Sequence, residues 1–158
     1  AELLAKALPA LPLEVLNPLA GALENCSLPL IVITAILHQL KHSDLTTDKR
    51  QLLLRTLASS TDNALVDEYF ALFLKQETLS EEEIIIIAGR CWKILNNNER
   101  NLQLLEVIVK SHADLFPAIF KDLVAIPKLR PLIFQCMREP QRSNELAAAI
   151  GQLFNQQG

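Results

Sequence analysis

Apolar residues recur along this chain at intervals of three and four positions, the spacing that places side chains on one face of an α-helix. The clearest run has apolar residues at i, i+1, i+4, i+5, i+8 and i+9: Leu65, Val66, Tyr69, Phe70, Phe73 and Leu74. Half of the 158 residues are hydrophobic and only 5% are aromatic. A core built mainly from aliphatic side chains suits helices packed on helices, so the sequence predicts an all-α fold.

Capping residues divide this pattern into helices of ordinary length. Ser27 followed by Pro29 predicts that one helix begins near residue 28, since Ser caps helices and Pro is tolerated in their first turn. Ser80 and Glu83 have the spacing of a capping box, which predicts a helix through the isoleucines that follow. By such signals, helices begin near residues 28, 47, 62, 80, 98, 114, 129 and 143.

Two of these helices are unusually apolar. The run Leu28–Leu37 predicts a largely buried helix whose stripe includes Leu30, Ile33, Leu37 and Leu40. Its β-branched residues also fit a strand, an alternative that the pattern leaves open. The isoleucine-rich helix is expected to bury the following side chains: Ile84, Ile87, Ala88, Cys91 and Leu95.

The first part of the chain, residues 1–26, is apolar but contains Pro9, Pro12 and Pro18. Proline removes a backbone donor and clashes with the preceding turn of a helix. We therefore expect one or two short, irregular helices in this segment. Residues 27–156 are expected to form the helical core, and residues 1–158 a single domain.

The helix starts are periodic when they are taken in pairs. Starts near 28, 62, 98 and 129 are 34, 36 and 31 residues apart, a period typical of two-helix repeats. Over residues 27–138 this spacing resembles HEAT-like or armadillo-like α-helical repeats, and Pro29 and Pro131 could stand for the proline in the first helix of HEAT-type units. The resemblance implies stacked antiparallel helix pairs, an α-solenoid-like fold. An orthogonal helix bundle is the alternative, because helices of average length give a similar period.

Composition narrows the class of protein. The net charge of −3 does not suit a domain that binds nucleic acid with its whole surface. The three cysteines form no C-x-x-C pair, which favours reduced thiols in a cytoplasmic or nuclear protein. The longest apolar run is too short to span a bilayer. We therefore expect an intracellular protein without a membrane partner.

Few residues have the spacing of a catalytic or metal site. His38 and His42 share a helical face, as the zinc ligands of H-E-x-x-H enzymes do, but Gln39 replaces the Glu that serves as general base. Cys91 and Cys136 lie in apolar stripes and are expected to be core residues rather than nucleophiles. The sequence therefore predicts no catalytic residue, no metal and no cofactor.

Positive charge is concentrated near the C-terminus. Between Lys121 and Arg142, five basic residues face two acidic ones, a net charge of +3. Such a segment can hold an acidic peptide or a phosphate backbone. The candidate partner-binding residues are Lys128, Arg130, Arg138 and Arg142.

These features favour a non-enzymatic protein–protein interaction or scaffold domain, a subunit or adaptor of a larger complex. Its partner would be a helix or an extended peptide of another protein, because a helical solenoid offers a long groove, and no small-molecule substrate is expected. The first alternative is a nucleic-acid-associated domain that uses the basic C-terminal segment. Two further alternatives are a metal-dependent enzyme built on His38 and His42 and a helical bundle that holds a small apolar ligand.

Overall fold

The computed structural model describes residues 1–76 and 78–155, and within them every regular element is helical. The α-helices are α1 Glu2–Ala7, α2 Leu13–Leu23, α3 Leu30–Leu40, α4 Thr47–Thr56, α5 Ala64–Phe73, α6 Glu81–Gly89, α7 Asn98–Ser111, α8 Phe116–Ala125, α9 Arg130–Cys136 and α10 Asn144–Asn155. The all-α prediction is confirmed. The strand alternative for the run Leu28–Leu37 is wrong, because α3 occupies most of it. The predicted core ended at residue 156, which lies outside the described residues.

Side-chain caps fix the starts of several helices. The capping box before α6 is complete: the amide of Glu83 donates to Ser80 Oγ at 3.2 Å, and the amide of Ser80 donates to Glu83 Oε2 at 2.8 Å. Thr46 caps α4 by accepting from the amide of Lys49. The predicted cap at Ser27 is wrong. Pro29, in an extended conformation, immediately precedes α3 and no side chain caps it.

The chain divides into two compact units, Ala1–Phe70 (unit 1) and Ala71–Gly158 (unit 2). In unit 1, α1 packs on α3 and α2 packs on α4, so alternate helices contact each other. The largest fully buried aliphatic side chains of this unit come from all four helices or the turns that follow them: Leu8, Leu16, Ile36, Leu53, Leu54 and Leu57. Alternate packing of this kind is the pattern that stacked helix pairs produce.

The N-terminal segment is more regular than the prolines suggested. Pro9 and Pro12 flank the break between α1 and α2, but α2 continues for 11 residues with Pro18 inside it. Because Pro18 has no N–H group, the backbone carbonyl of Glu14 has no donor within the helix. Both residues are exposed, so water can donate to that carbonyl. Because Leu8 and Leu16 are fully buried, the segment is part of the core of unit 1.

An ion pair joins the end of α2 to α4. The Glu24 carboxylate accepts two hydrogen bonds from the Arg55 guanidinium, one of them from Nη2 to Oε1 at 2.8 Å. The Ser59 hydroxyl also donates to the backbone carbonyl of Glu24. The hydrogen bond from Arg55 to Glu24 raises the pKa of the guanidinium further above its ordinary value, against the opposing effect of burial. Two-point pairing fixes the geometry between these helices.

Unit 2 repeats the packing of alternate helices. Helix α6 packs on α8 and α7 packs on α9, while α10 packs on α7. A carboxylate on α7 secures the start of α10: Glu106 accepts from the amide of Ser143 at 2.7 Å and from its hydroxyl at 2.5 Å. The same hydroxyl accepts from the amide of Leu146. Ser143 therefore caps α10, which confirms the helix start predicted near residue 143, and its contacts with Glu106 tie two helices together.

Predicted burial is confirmed along the isoleucine-rich helix and for three of the four residues predicted on α3, which are Ile33, Leu37 and Leu40. All five side chains expected inward along the isoleucine-rich segment are buried: Ile84, Ile87, Ala88, Cys91 and Leu95. In α3, however, Leu30 is 59% exposed. The face that α3 buries consists of Val32, Ile33, Ile36, Leu37 and Leu40. Periodicity cannot select the core face of a helix whose opposite face is also apolar.

Replacing Glu24 with Ala tests the contribution of the ion pair to unit 1. Because Glu24 is 7% exposed and Arg55 is 29% exposed, we expect the free energy of unfolding to fall by about 2–3 kcal/mol, somewhat less than for a fully buried pair. Chemical denaturation measures this change. The exposed Glu14 of α2 provides the control, since Glu14→Ala should cost less than about 0.5 kcal/mol. Equal effects of the two substitutions would contradict the assignment.

Candidate functional site

A groove of about 810 Å³ lies between α1 and α3 in unit 1. The residues that line it from α1 and the following turn are Glu2, Ala5, Lys6 and Pro9. Those from α3 are Leu30, Ile31, Thr34, Ala35, His38 and Gln39. We call this feature the α1–α3 groove.

Helical geometry explains why these residues share the groove. On α1 and its turn they lie at i, i+3, i+4 and i+7, and on α3 at i, i+1, i+4, i+5, i+8 and i+9. Each set forms one face of a helix. Helix α3 therefore has two apolar faces, one buried in the core of unit 1 and one that lines the groove. Three polar residues, Thr34, His38 and Gln39, also lie on the second face.

The open end of the apolar face is formed by Leu30 and Ile31, which are 59% and 46% exposed. Thr34 follows one turn later, and its hydroxyl donates to the carbonyl of Leu30 at 2.9 Å. Because that donor is used within the helix, Thr34 adds little polar character to the groove. Exposed apolar side chains that cluster in a concave surface mark a candidate interaction site.

Polar side chains mark the edges of the groove. Glu2 and Lys6 lie on α1, both exposed, and His38 lies on the last turn of α3. The ring of His38 contacts that of His42 edge to face, with 4.8 Å between the ring centroids. The groove thus combines an apolar floor and a charged rim, the arrangement found in specific protein interfaces.

The two histidines are close together but have little help in holding a metal ion. A structural zinc site takes four ligands and a catalytic one three from the protein. Across residues 1–76 and 78–155, no group of three or more His, Cys, Asp or Glu side chains comes together in a metal-binding arrangement. The zinc hypothesis therefore rests on two ligands.

The basic residues suggested by sequence lie at the two ends of α9. Lys128 and Arg130 are at its start, whereas Arg138 and Arg142 follow its end. Seven helical residues separate these pairs by roughly 10 Å. Their role in partner binding stays a prediction.

Two of these arginines also have structural contacts. Arg130 Nε donates to the carbonyl of Val124, near the end of α8, at 2.9 Å. Arg142 Nη1 donates to the carbonyl of Glu139 at 2.8 Å. Each guanidinium thus stabilises a backbone carbonyl, one of them at a helix end where positive charge is favourable.

The environment of Cys136 keeps its thiol protonated. The side chain is fully buried, and Sγ donates to Asn98 Oδ1 at 3.0 Å. Burial raises the pKa of the Cys136 thiol to about 11, and the negative charge of Glu139 contributes in the same direction. Since the thiolate is the nucleophile, the prediction that Cys136 is a core residue fits its surroundings.

The cysteines should therefore differ in reactivity. Cys26 is exposed, whereas Cys91 and Cys136 are buried. At pH 8 a thiol with a pKa of about 11 is ionised in only about one molecule in a thousand. We expect one thiol to react rapidly with an aromatic disulfide reagent in the native protein and three in denaturant. Fast reaction in a Cys26→Ser variant would contradict this assignment.

Unit 2 contains a second cavity, of about 510 Å³, beside α7 and the start of α10. Its lining mixes opposite charges, with Lys75 and Lys110 together with Glu106 and Glu145. The Glu106 carboxylate is occupied by Ser143. Neither this cavity nor the pairing of α1 with α3 into a groove was predicted from sequence. The available signal was the continuous apolar run at the start of α3, from Leu30 to Ile33.

These features define an all-α protein with an open, apolar groove between two helices. In the part of the chain that the structure describes, no helix has the length and apolar character needed to cross a membrane. The chain belongs to the family described as "Protein of unknown function (DUF3549)", whose model matches residues 1–154. No curated protein and no solved structure matches it.

Proposed function

We propose that this protein is a non-enzymatic interaction module, a subunit or adaptor of a larger complex, that holds a helix of a partner protein in the α1–α3 groove. The observation that carries the proposal is the second apolar face of α3. Its residues Leu30 and Ile31 are exposed, although side chains of this type gain free energy from burial. A partner helix that covers them supplies that burial.

The size of the groove suits a helical partner. Helix α3 has 11 residues, so its exposed face is about 16 Å long. That length accommodates about three turns of a second helix. A helix with apolar residues at i, i+3 or i+4, and i+7 presents its own stripe to such a groove, which is an established mode of peptide recognition.

Two further observations support the proposal. The packing of alternate helices within each unit is compatible with the HEAT-like or armadillo-like resemblance, and proteins of that architecture present helical grooves to their partners. Among the described residues, Cys26, Cys91 and Cys136 are not joined by a disulfide bond, which is compatible with a cytoplasmic or nuclear setting.

The basic segment offers less support for nucleic-acid binding. Its candidate residues are divided between the two ends of α9, and Arg130 and Arg142 donate to backbone carbonyls. A phosphate backbone is better held by guanidinium groups that are free to reach it. Protein binding in unit 1 is therefore the function we favour.

Placing a charge in the groove tests this function. We expect Ile31→Asp to abolish the retention of stoichiometric partners from a native lysate at moderate salt, because a carboxylate there cannot be buried without a large desolvation cost. Quantitative mass spectrometry compares the proteins retained by each variant. The control is Ile85→Asp, since Ile85 is 48% exposed, close to the 46% of Ile31, but lies on α6 outside the groove.

The two variants distinguish docking in the groove from nonspecific hydrophobic binding. Partners lost with Ile31→Asp and kept with Ile85→Asp would support the groove. Partners lost with both variants, or kept with both, would reject it. Circular dichroism of the two variants checks that each remains folded.

A further inference from the structure

The α1–α3 groove has an ordered pair of charges on one edge. Glu2 and Lys6 are four residues apart on α1 and both line the groove, so their side chains project from one face about 6 Å apart along the helix. Resting on the function proposed above, we infer that the partner helix carries an acidic and a basic residue about one turn apart beside its apolar stripe. The acidic residue pairs with Lys6 and the basic residue pairs with Glu2.

The charges of Glu2 and Lys6 are available to a partner. Within residues 1–76 and 78–155, neither side chain has a hydrogen bond or an ion pair with another group. Two other cations of unit 1 have internal partners: Lys49 Nζ donates to the carbonyl of Pro9 at 2.8 Å, and Arg55 pairs with Glu24. Lys6 is therefore a cation that lines the groove without an internal partner.

The helix dipole accounts for part of this arrangement, because Glu2 is in the first turn of α1 and Lys6 is in the last. A Glu and a Lys at i and i+4 also attract each other on a helix surface. Neither contribution requires a partner, and neither explains why both residues line the groove. A partner helix covering Leu30 and Ile31 brings its flanking residues beside α1, where like charges would repel it. The apolar contacts then supply affinity, and the charges determine which direction the partner helix runs.

The order of the charges makes the recognition directional. A partner helix with its acidic residue beside Lys6 and its basic residue beside Glu2 forms two favourable pairs. The same helix in the reverse direction forms two repulsive pairs. The partner is thus an amphipathic helix with a fixed order of charges, rather than any apolar helix.

A displayed peptide library tests this inference on the whole chain. The library holds 16-residue helical peptides with a fixed leucine stripe, and their flanking positions vary among Asp, Glu, Lys, Arg, Gln and Ala. Selection is carried out in parallel on the native protein, Lys6→Glu, Lys6→Gln and Leu30→Asp. Lys93→Glu is the matched control, because Lys93 is an exposed lysine in unit 2.

We expect the native protein and Lys93→Glu to enrich an acidic residue at one flanking position. Lys6→Glu should enrich a basic residue at that position, and Lys6→Gln should enrich neither. For a selected acidic peptide, Lys6→Glu should raise Kd by a factor of about 2 to 5, the range for exposed ion pairs. The inference is overturned if the native protein and Lys6→Glu enrich the same charges.

The experiment also distinguishes the inference from the proposed function on which it rests. Peptides that bind the native protein and not Leu30→Asp, but with no preferred charge, would overturn the inference and leave the groove as a docking site. A native protein that enriches no peptide beyond those selected by Leu30→Asp would overturn both. Circular dichroism of the Lys6 variants excludes unfolding of α1 as the cause of a changed preference.

Discussion

Helix α3 organises unit 1, because it has apolar side chains on two opposite faces. One face, which includes Val32, Ile36 and Leu40, is buried in the core against α1 and α4. The other face begins with Leu30 and Ile31 and lines an open groove. Burial of the first face orders the helix, and the same helix then holds the second face rigidly in position. A rigid apolar surface loses little conformational entropy when a partner binds.

The sequence predicts the elements of this fold better than it predicts the site. Caps such as Ser80 and Ser143 act through bonds to residues three positions away, so local sequence is enough to place them. The groove depends on how α1 lies beside α3, which is a tertiary relationship. Leu30 was assigned to the core because its period matches the buried stripe. Only the position of the neighbouring helix determines which apolar face is covered.

The chemical groups away from the groove are used for structure. Burial and the negative charge of Glu139 raise the pKa of the Cys136 thiol to about 11, and Glu106 is occupied in capping α10. Glu24 is likewise paired with Arg55. By contrast, Glu2 and Lys6 face the groove without internal partners among the described residues. Glu2 and Lys6 are therefore candidates for the recognition that we propose for this groove.

Site-specific photocrosslinking in living cells tests directly whether the α1–α3 groove holds a partner helix. A benzophenone amino acid replaces Ile31 in the groove or Ile85 on α6, two positions of similar exposure. We predict that the probe at residue 31 crosslinks to a defined partner, at residues of one helix. The probe at residue 85 should not crosslink to that partner. The same crosslinked species from both positions, or none from residue 31, would contradict it.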